Sequence, residues 1–300
     1  MEHTGIKNLF LCIGAQKAGT TWLGRMLERH PDVFFTPVKE IHYFDHAAEL
    51  TAHLSDARRH SRRRKYYQRL CTQWHRWGAL YAQLAWYRDY MQDPVDDAWY
   101  ARLFTRRQGK KMAGEATPEY ALLGQQGFAH IKRMAPDVRL LYIMRNPVTR
   151  AWSQILHYCR SNGLDATALS SKELIGITSR ERFEALADYC RTLEDAGKIF
   201  PQDQIWLGFY EDIHEDRLAA LEQICAFIGV GFTPGMFAGL EQRYNISQPA
   251  VMPPEVRETL GDKYHDLASR VLEHVGRVPE SWHEEFALPV KKAKTVNSDQ

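Results

Sequence analysis

The stretch Leu9-Phe-Leu-Cys-Ile-Gly-Ala-Gln-Lys-Ala-Gly-Thr-Thr-Trp-Leu23 decides how the chain is read. Its first half is an apolar run ending at Gly14, the mark of a strand buried on both faces. Its second half sets Thr20-Thr21 before an amphipathic pattern, so a helix starts there. A tight loop between the two turns several backbone N–H groups toward one point, and the helix N-terminus adds partial positive charge. That point suits a phosphate. The loop departs from a Walker loop at one residue: there, Lys stands directly after the second Gly and before Ser or Thr. Here Gly14 and Gly19 keep the spacing, but the lysine is Lys17, inside the loop. Lys17 can reach a bridging or terminal oxygen of the anion, while Thr20 and Thr21 cap it.

Short apolar segments recur at Asn8–Ile13, Val33–Phe35, Arg139–Met144 and Gln204–Phe209. Helical patterns separate them at Thr20–Arg29, Gly127–Met134, Pro147–Cys159, Arg180–Ile199 and Asp216–Ile228, with Gly229 as a stop. Strands alternating with helices predict a three-layer α/β/α fold with a central parallel sheet, whose ligands collect at the strand carboxyl ends. Between about 47 and 104 the pattern changes to aromatic residues among many Arg and His, which reads as a helical insert. The expectation is a single domain over 1–288 and a polar, disordered tail over 289–300.

With 44% apolar residues and a net charge of +2, the chain fits a globular protein and gives no global argument for nucleic-acid binding. Five scattered cysteines without paired spacing read as buried thiols. No apolar stretch approaches the roughly 18 residues of a membrane span, and the N-terminus lacks a signal pattern, so a cytoplasmic location is expected.

Three further segments carry chemistry. In Arg145-Asn-Pro-Val-Thr-Arg-Ala-Trp-Ser153, Pro147 fits a first helical turn, and Arg145 with Ser153 reads equally as a second phosphate site or as a strand-end Arg paired with a carboxylate and a helix-surface Ser. In Lys39-Glu-Ile-His-Tyr-Phe-Asp45, Glu40 and His42 alternate with apolar neighbours, so an extended backbone points both the same way. Either can take a proton from an acceptor hydroxyl or amine. Gly114-Glu-Ala-Thr-Pro-Glu-Tyr120 reads as a pocket lining or a plain loop, with Glu115 facing the site, either holding Lys39 or contacting the acceptor. Trp22 reads equally as a base-stacking residue or as core. No zinc spacing, HExxH, GxSxG or GxGxxG is present. The site is cationic, and no metal is expected to be required.

Together these motifs resemble the sulfotransferases that use 3'-phosphoadenosine 5'-phosphosulfate (PAPS) and release PAP. The resemblance implies that Gln16, Lys17, Ala18, Gly19, Thr20, Thr21 and Trp22 form the P-loop-like 5'-phosphosulfate loop, and that Arg145 and Ser153 bind the 3'-phosphate. Lys39-Glu-Ile-His-Tyr-Phe-Asp45 is similar to the segment of heparan sulfate N- and 3-O-sulfotransferases that supplies the catalytic Glu, which falls on Glu40. Gly114–Tyr120 and Tyr210-Glu-Asp-Ile213 are also similar to that branch. The animal members are membrane-anchored, so a soluble bacterial-type relative is implied. The C-terminal cofactor loop of the cytosolic branch is not found, and Arg243 and Ser247 take its place as candidates. The implied activity is sulfuryl transfer from PAPS to a hydroxyl or amine of a carbohydrate, glycolipid or small molecule. Lys17 serves the leaving group, Glu40 or His42 is the base, and Lys39, His42 and Glu115 stand on the acceptor side.

The rival reading is a P-loop small-molecule kinase using Mg·ATP. The displaced Lys17 and the Arg145/Ser153 site argue against it. The basic run Arg58-Arg-His-Ser-Arg-Arg-Arg-Lys65 is a solvated helix face or an electropositive rim for an anionic acceptor or a membrane surface. The acceptor walls are expected in the insert and in a loop over Ser161–Ile177. The acceptor's identity and the oligomeric state are not legible.

Overall fold

Leu9–Gly14 forms β1, with all six residues buried, and this fixes it at the centre of the molecule. In the computed structural model, which describes residues 5–73, 77–107, 109–242, 244 and 250–289, β1 is flanked by parallel partners on both sides. The others are β2 (Val33–Phe35), β3 (Met112–Ala116), β4 (Arg139–Met144) and β5 (Ile205–Phe209), in the order β2-β3-β1-β4-β5 and all parallel. The sheet is covered by helices, as expected of a three-layer α/β/α architecture.

β3 was not foreseen as a strand. Its sequence, Met-Ala-Gly-Glu-Ala, lacks β-branched and aromatic residues, yet every residue is buried because it pairs between β1 and β2. Gly114 is opposite Phe10, whose ring would lie 2.1 Å from a Cβ added there. The glycine lets a large ring fill the space over the strand.

The helices are α1 (Thr20–Leu27), α2 (Tyr43–Ala47), α3 (Asp56–Thr72), α4 (Trp77–Tyr81), α5 (Leu84–Tyr90), α6 (Asp97–Leu103), α7 (Gly124–Met134) and α8 (Pro147–Ser161). They are followed by α9 (Ser171–Thr178), α10 (Glu181–Ala185), α11 (Tyr189–Gly197), α12 (Tyr210–Glu215), α13 (Arg217–Ile228), α14 (Pro254–Val275) and α15 (Glu280–Phe286). Three differences from expectation stand out. The helix expected over Arg180–Ile199 is two, α10 and α11, because Asp188 caps a new start by accepting from the Arg191 N–H. Part of the expected 161–177 loop is α9, started by a Ser170/Glu173 capping box. The longest helix, α14, was not anticipated; it packs on α8, α9 and α11.

The aromatic insert is mostly core rather than acceptor wall. Trp86 and Tyr90 stack at 5.1 Å, Tyr43 and Tyr100 at 4.6 Å, and Trp86, Tyr90, Trp99 and Tyr100 are all buried. Within the basic run, Arg59 is also buried. It pairs with Asp56 and Asp93 and donates to the Tyr90 and Gln92 carbonyls at 3.1 and 3.0 Å, locking α3 to the loop after α5. Cys12, Cys159, Cys190 and Cys225 are buried free thiols, and Cys71 is exposed. No helix among the described residues is long and apolar enough to cross a membrane. Residues 290–300 lie outside the described part.

Candidate active site

Because all five strands run the same way, the segments leaving their carboxyl ends share one rim. The first is the loop 15–19. The Ala15 N–H donates to the Ile143 carbonyl at 2.7 Å and that of Ala18 to the Ala15 carbonyl at 3.2 Å. Lys17 and Gly19 take positive φ values of 70° and 84°, which winds the loop tightly into α1. Gly19 caps α1 without a side-chain hydrogen bond, and no acidic residue stands in the first turn. The positive end of this helix thus carries neither a side-chain cap nor a first-turn carboxylate of its own. α8 differs: Asn146 Oδ1 accepts from the Val148 and Thr149 N–H groups at 3.0 and 3.3 Å. Of the two helix starts, α1 is the one without a side-chain cap.

Lys17 is half-buried within this loop. Burial, with Arg160 and Arg145 as neighbouring cations, pushes its pKa down to about 8. A bound polyanion reverses both the repulsion and the shift. Arg145, at the end of β4, donates from Nη1 to the Lys17 carbonyl at 3.0 Å and from Nε to Thr149 Oγ1 at 3.1 Å. Its guanidinium lies 4.4 Å from the centre of the Tyr210 ring. Arg145 thus ties the loop 15–19 to the start of α8. Ser153 lies half-buried two turns along that helix.

Lys39 and Glu40 lie within electrostatic reach of Lys17, with His42 beside Glu40. The backbone here is not the extended segment expected: His42 has φ 64° and caps α2. The two polar side chains still meet, with Glu40 Oε2 3.4 Å from His42 Nε2. Lys39 Nζ donates to Glu40 Oε1 at 3.0 Å. Although burial opposes its ionisation, Glu40 is held well below the usual carboxylate range by the charge of Lys39 and the hydrogen bond from His42. Burial opposes charge on His42 too, but its hydrogen bonds to Asp45 (2.9 Å) and Glu40 lift its pKa to about 9. His42 is therefore an imidazolium at neutral pH. Asp45, on α2, is fully buried and accepts from Thr51. Neither Asp45 nor Thr51 was singled out in the sequence, although the His42/Asp45 spacing of three was a helical-pair signal.

Several expected roles are corrected. Glu115 does not face the acceptor or hold Lys39. It is fully buried, and its oxygens accept from Tyr100, Tyr120, Thr117 and the Ile41 N–H at 2.6–3.2 Å. It instead positions the segment carrying Glu40. Trp22 is 4% exposed, donates to the Leu240 carbonyl at 2.9 Å and meets the His214 ring edge-on. It is core, and it offers no open face to a base. The Gln16 side chain is engaged within the protein: it donates to Glu119 Oε1 and accepts from Gln154, both at 3.0 Å. Only the Gln16 backbone remains for the loop. Arg243 and Ser247 lie outside the described residues. Glu119, four residues after Glu115 and just past the end of β3, is the group the sequence reading passed over. The carboxylates a Mg²⁺-binding kinase would draw on are also engaged. Glu211 accepts from the Asn146 N–H (2.9 Å) and Trp282 (3.3 Å), and Asp212 pairs with Arg277.

The model described as "Sulfotransferase family" matches residues 10–234, most of the chain and all the motifs above as far as Ile213. The chain belongs to the sulfotransferase family. Mouse heparan sulfate glucosamine 3-O-sulfotransferase 3A1 is 26% identical over 230 residues, 73% of this chain and 45% of the mouse protein. Mouse heparan sulfate glucosamine 3-O-sulfotransferase 6 is 29% identical over 136 residues, 44% of this chain and 40% of its own. The chain thus spans under half the length of these curated relatives. Among solved structures, a sulfotransferase from Alicyclobacillus acidocaldarius superposes with a TM-score of 0.63 over 91% of this chain and 98% of its own, at 22% identity. That likeness establishes the shared fold.

Proposed function

We propose that the chain transfers a sulfuryl group from PAPS to a hydroxyl or amine of a carbohydrate, glycolipid or small molecule by in-line displacement. The observation that carries this reading is the proximity, on the rim at the strand carboxyl ends, of an uncapped helix start with its loop lysine, Lys17, and a carboxylate, Glu40, kept ionised by Lys39 and His42. The acceptor proton goes to Glu40 as the acceptor oxygen or nitrogen attacks sulfur. Charge builds on the oxygen leaving toward the 5'-phosphate, where Lys17 and the loop N–H groups stabilise it. His42, already protonated at neutral pH, does not serve as the base; it orients Glu40. Arg145 and Ser153 bind the 3'-phosphate. The whole-protein relatives named above act in their own names on heparan sulfate glucosamine; for this chain, a carbohydrate is one acceptor class among those proposed.

A groove of about 960 Å³ opens beside Lys39, lined among others by Arg25, Arg29, Arg62, Lys65 and Arg69. It favours an acceptor that itself carries negative charge. The test is calorimetric titration with PAP and with Mg·ATP, followed by transfer from a sulfur-35-labelled donor to a panel of acceptors. Tight PAP binding with weak Mg·ATP binding is expected. Preference for Mg·ATP would return the chain to the kinase reading.

A further inference from the structure

Beside the proposed base, Glu40, His42 and Glu119 each offer one ligand atom, and the three atoms lie within 4.8 Å of one another. The two carboxylates are wired alike. Lys39 holds Glu40 Oε1 at 3.0 Å, and Oε2 faces His42 Nε2 at 3.4 Å. Gln16 and Arg182 hold Glu119 Oε1 at 3.0 and 3.4 Å, while Glu119 Oε2 is buried with no hydrogen-bond partner. The Glu119 residue is 4% exposed. The other nitrogen of His42, Nδ1, is fixed at 2.9 Å by Asp45, itself held by Thr51. A carboxylate on the far nitrogen is the usual means of orienting a metal-binding imidazole.

We propose that Glu40, His42 and Glu119 bind one divalent transition-metal ion of the zinc type, and that the bound ion silences sulfuryl transfer by occupying the Glu40 lone pair. One neutral imidazole and two carboxylates suit such an ion, whose charge balances theirs; binding expels the His42 Nε2 proton to solvent, and the ion takes its place beside Glu40 Oε2. Lys39 and Arg182 keep their places on the outer oxygens. Zinc–ligand bonds of about 2.0–2.2 Å in a tetrahedral site put ligand atoms roughly 3.5 Å apart, close to the present Glu40–His42 separation. A turn of the Glu119 side chain closes the third edge. Binding stands on this geometry alone; the inhibition rests on Glu40 being the base, as proposed above.

The test uses the full chain carrying Cys71→Ser, because the exposed Cys71 thiol shares a groove with His60 and could take up zinc itself. Titration with zinc chloride should show one ion per chain, with affinity weakened about tenfold or more in Glu119→Gln and in His42→Ala and unchanged in the surface variant Glu284→Gln. Cobalt(II), read by its visible absorption, reports the same site without any substitution in it. PAP titration of each sample reports separately on the donor pocket. No stoichiometric uptake of either metal, or uptake that survives both substitutions in variants that still bind PAP, would overturn the site. Zinc bound at these residues without PAP binding would uphold the site and sink the sulfotransferase reading. Both ligands bound, with labelled transfer undiminished at saturating zinc and unaffected by a chelator, would overturn the inhibition.

Discussion

Across the gap that the sulfuryl group is proposed to cross, the charge of Glu40 bears on the protonation of Lys17. Lys17 has its pKa lowered to about 8, so binding of PAP must draw a proton onto it as pH rises through that value. PAP affinity should therefore be flat below pH 8 and fall by up to about tenfold per pH unit above it, measured by titration calorimetry across pH. Lys17→Arg should remove the slope, and Lys17→Ala should lower turnover by on the order of 100-fold or more. Glu40 raises the pKa of Lys17. Glu40→Gln should abolish transfer, keep PAP affinity at neutral pH, and move the alkaline fall to lower pH. An unshifted profile together with retained turnover would remove Glu40 from its role. His42 has a linked effect on stability. Its pKa is raised from 6.5 to about 9 in the folded chain, so the stability this contributes is complete below about pH 6.5 and is lost as pH rises through 9. Thermal melts of the wild type should show that alkaline loss, and Asp45→Asn should blunt it.

At the level of elements, β3 and α3 show how neighbours override local sequence. Nothing in Met-Ala-Gly-Glu-Ala favours a strand, but β1 and β2 supply both sets of hydrogen bonds, and Phe10 supplies the packing over Gly114. Gly114→Ala should cost at least about 1–3 kcal/mol by overpacking, whereas Gly176→Ala, with no atom within 4 Å in α9, should be neutral or stabilise by about 0.5–1 kcal/mol. Urea unfolding of the two variants tests this. In α3 the basic run reads as one cationic surface, yet Arg59 turns inward while Arg64 and Lys65 face solvent. Arg59→Ala should lose about 1–3 kcal/mol, since it strips partners from buried carbonyls, without changing PAP affinity.

On the scale of the whole molecule, the parallel sheet brings segments 100 residues and more apart in sequence onto one rim. If the pocket formed there takes PAP, the ligand stabilises the entire cooperative unit. At about 100 times its dissociation constant, PAP should add about 2.7 kcal/mol and raise the melting temperature; Mg·ATP at the same concentration should do so far less. The strand–loop–helix turn after Gly14, the Arg145 turn and four of the five strands were legible in the sequence by itself, because each depends on neighbours within one strand–turn–helix unit. So was the family, whose motifs are local and ordered along the chain. The partners of these groups were decided only by tertiary structure. Glu115 looked available and is filled by four donors from three segments, and Trp22, which read equally as base-stacking or core, is core. Glu119 was passed over and lies with Glu40 and His42. Side-chain burial and hydrogen-bond partnership depend on long-range packing, and residue type and spacing carry no record of what arrives from the other side of the sheet.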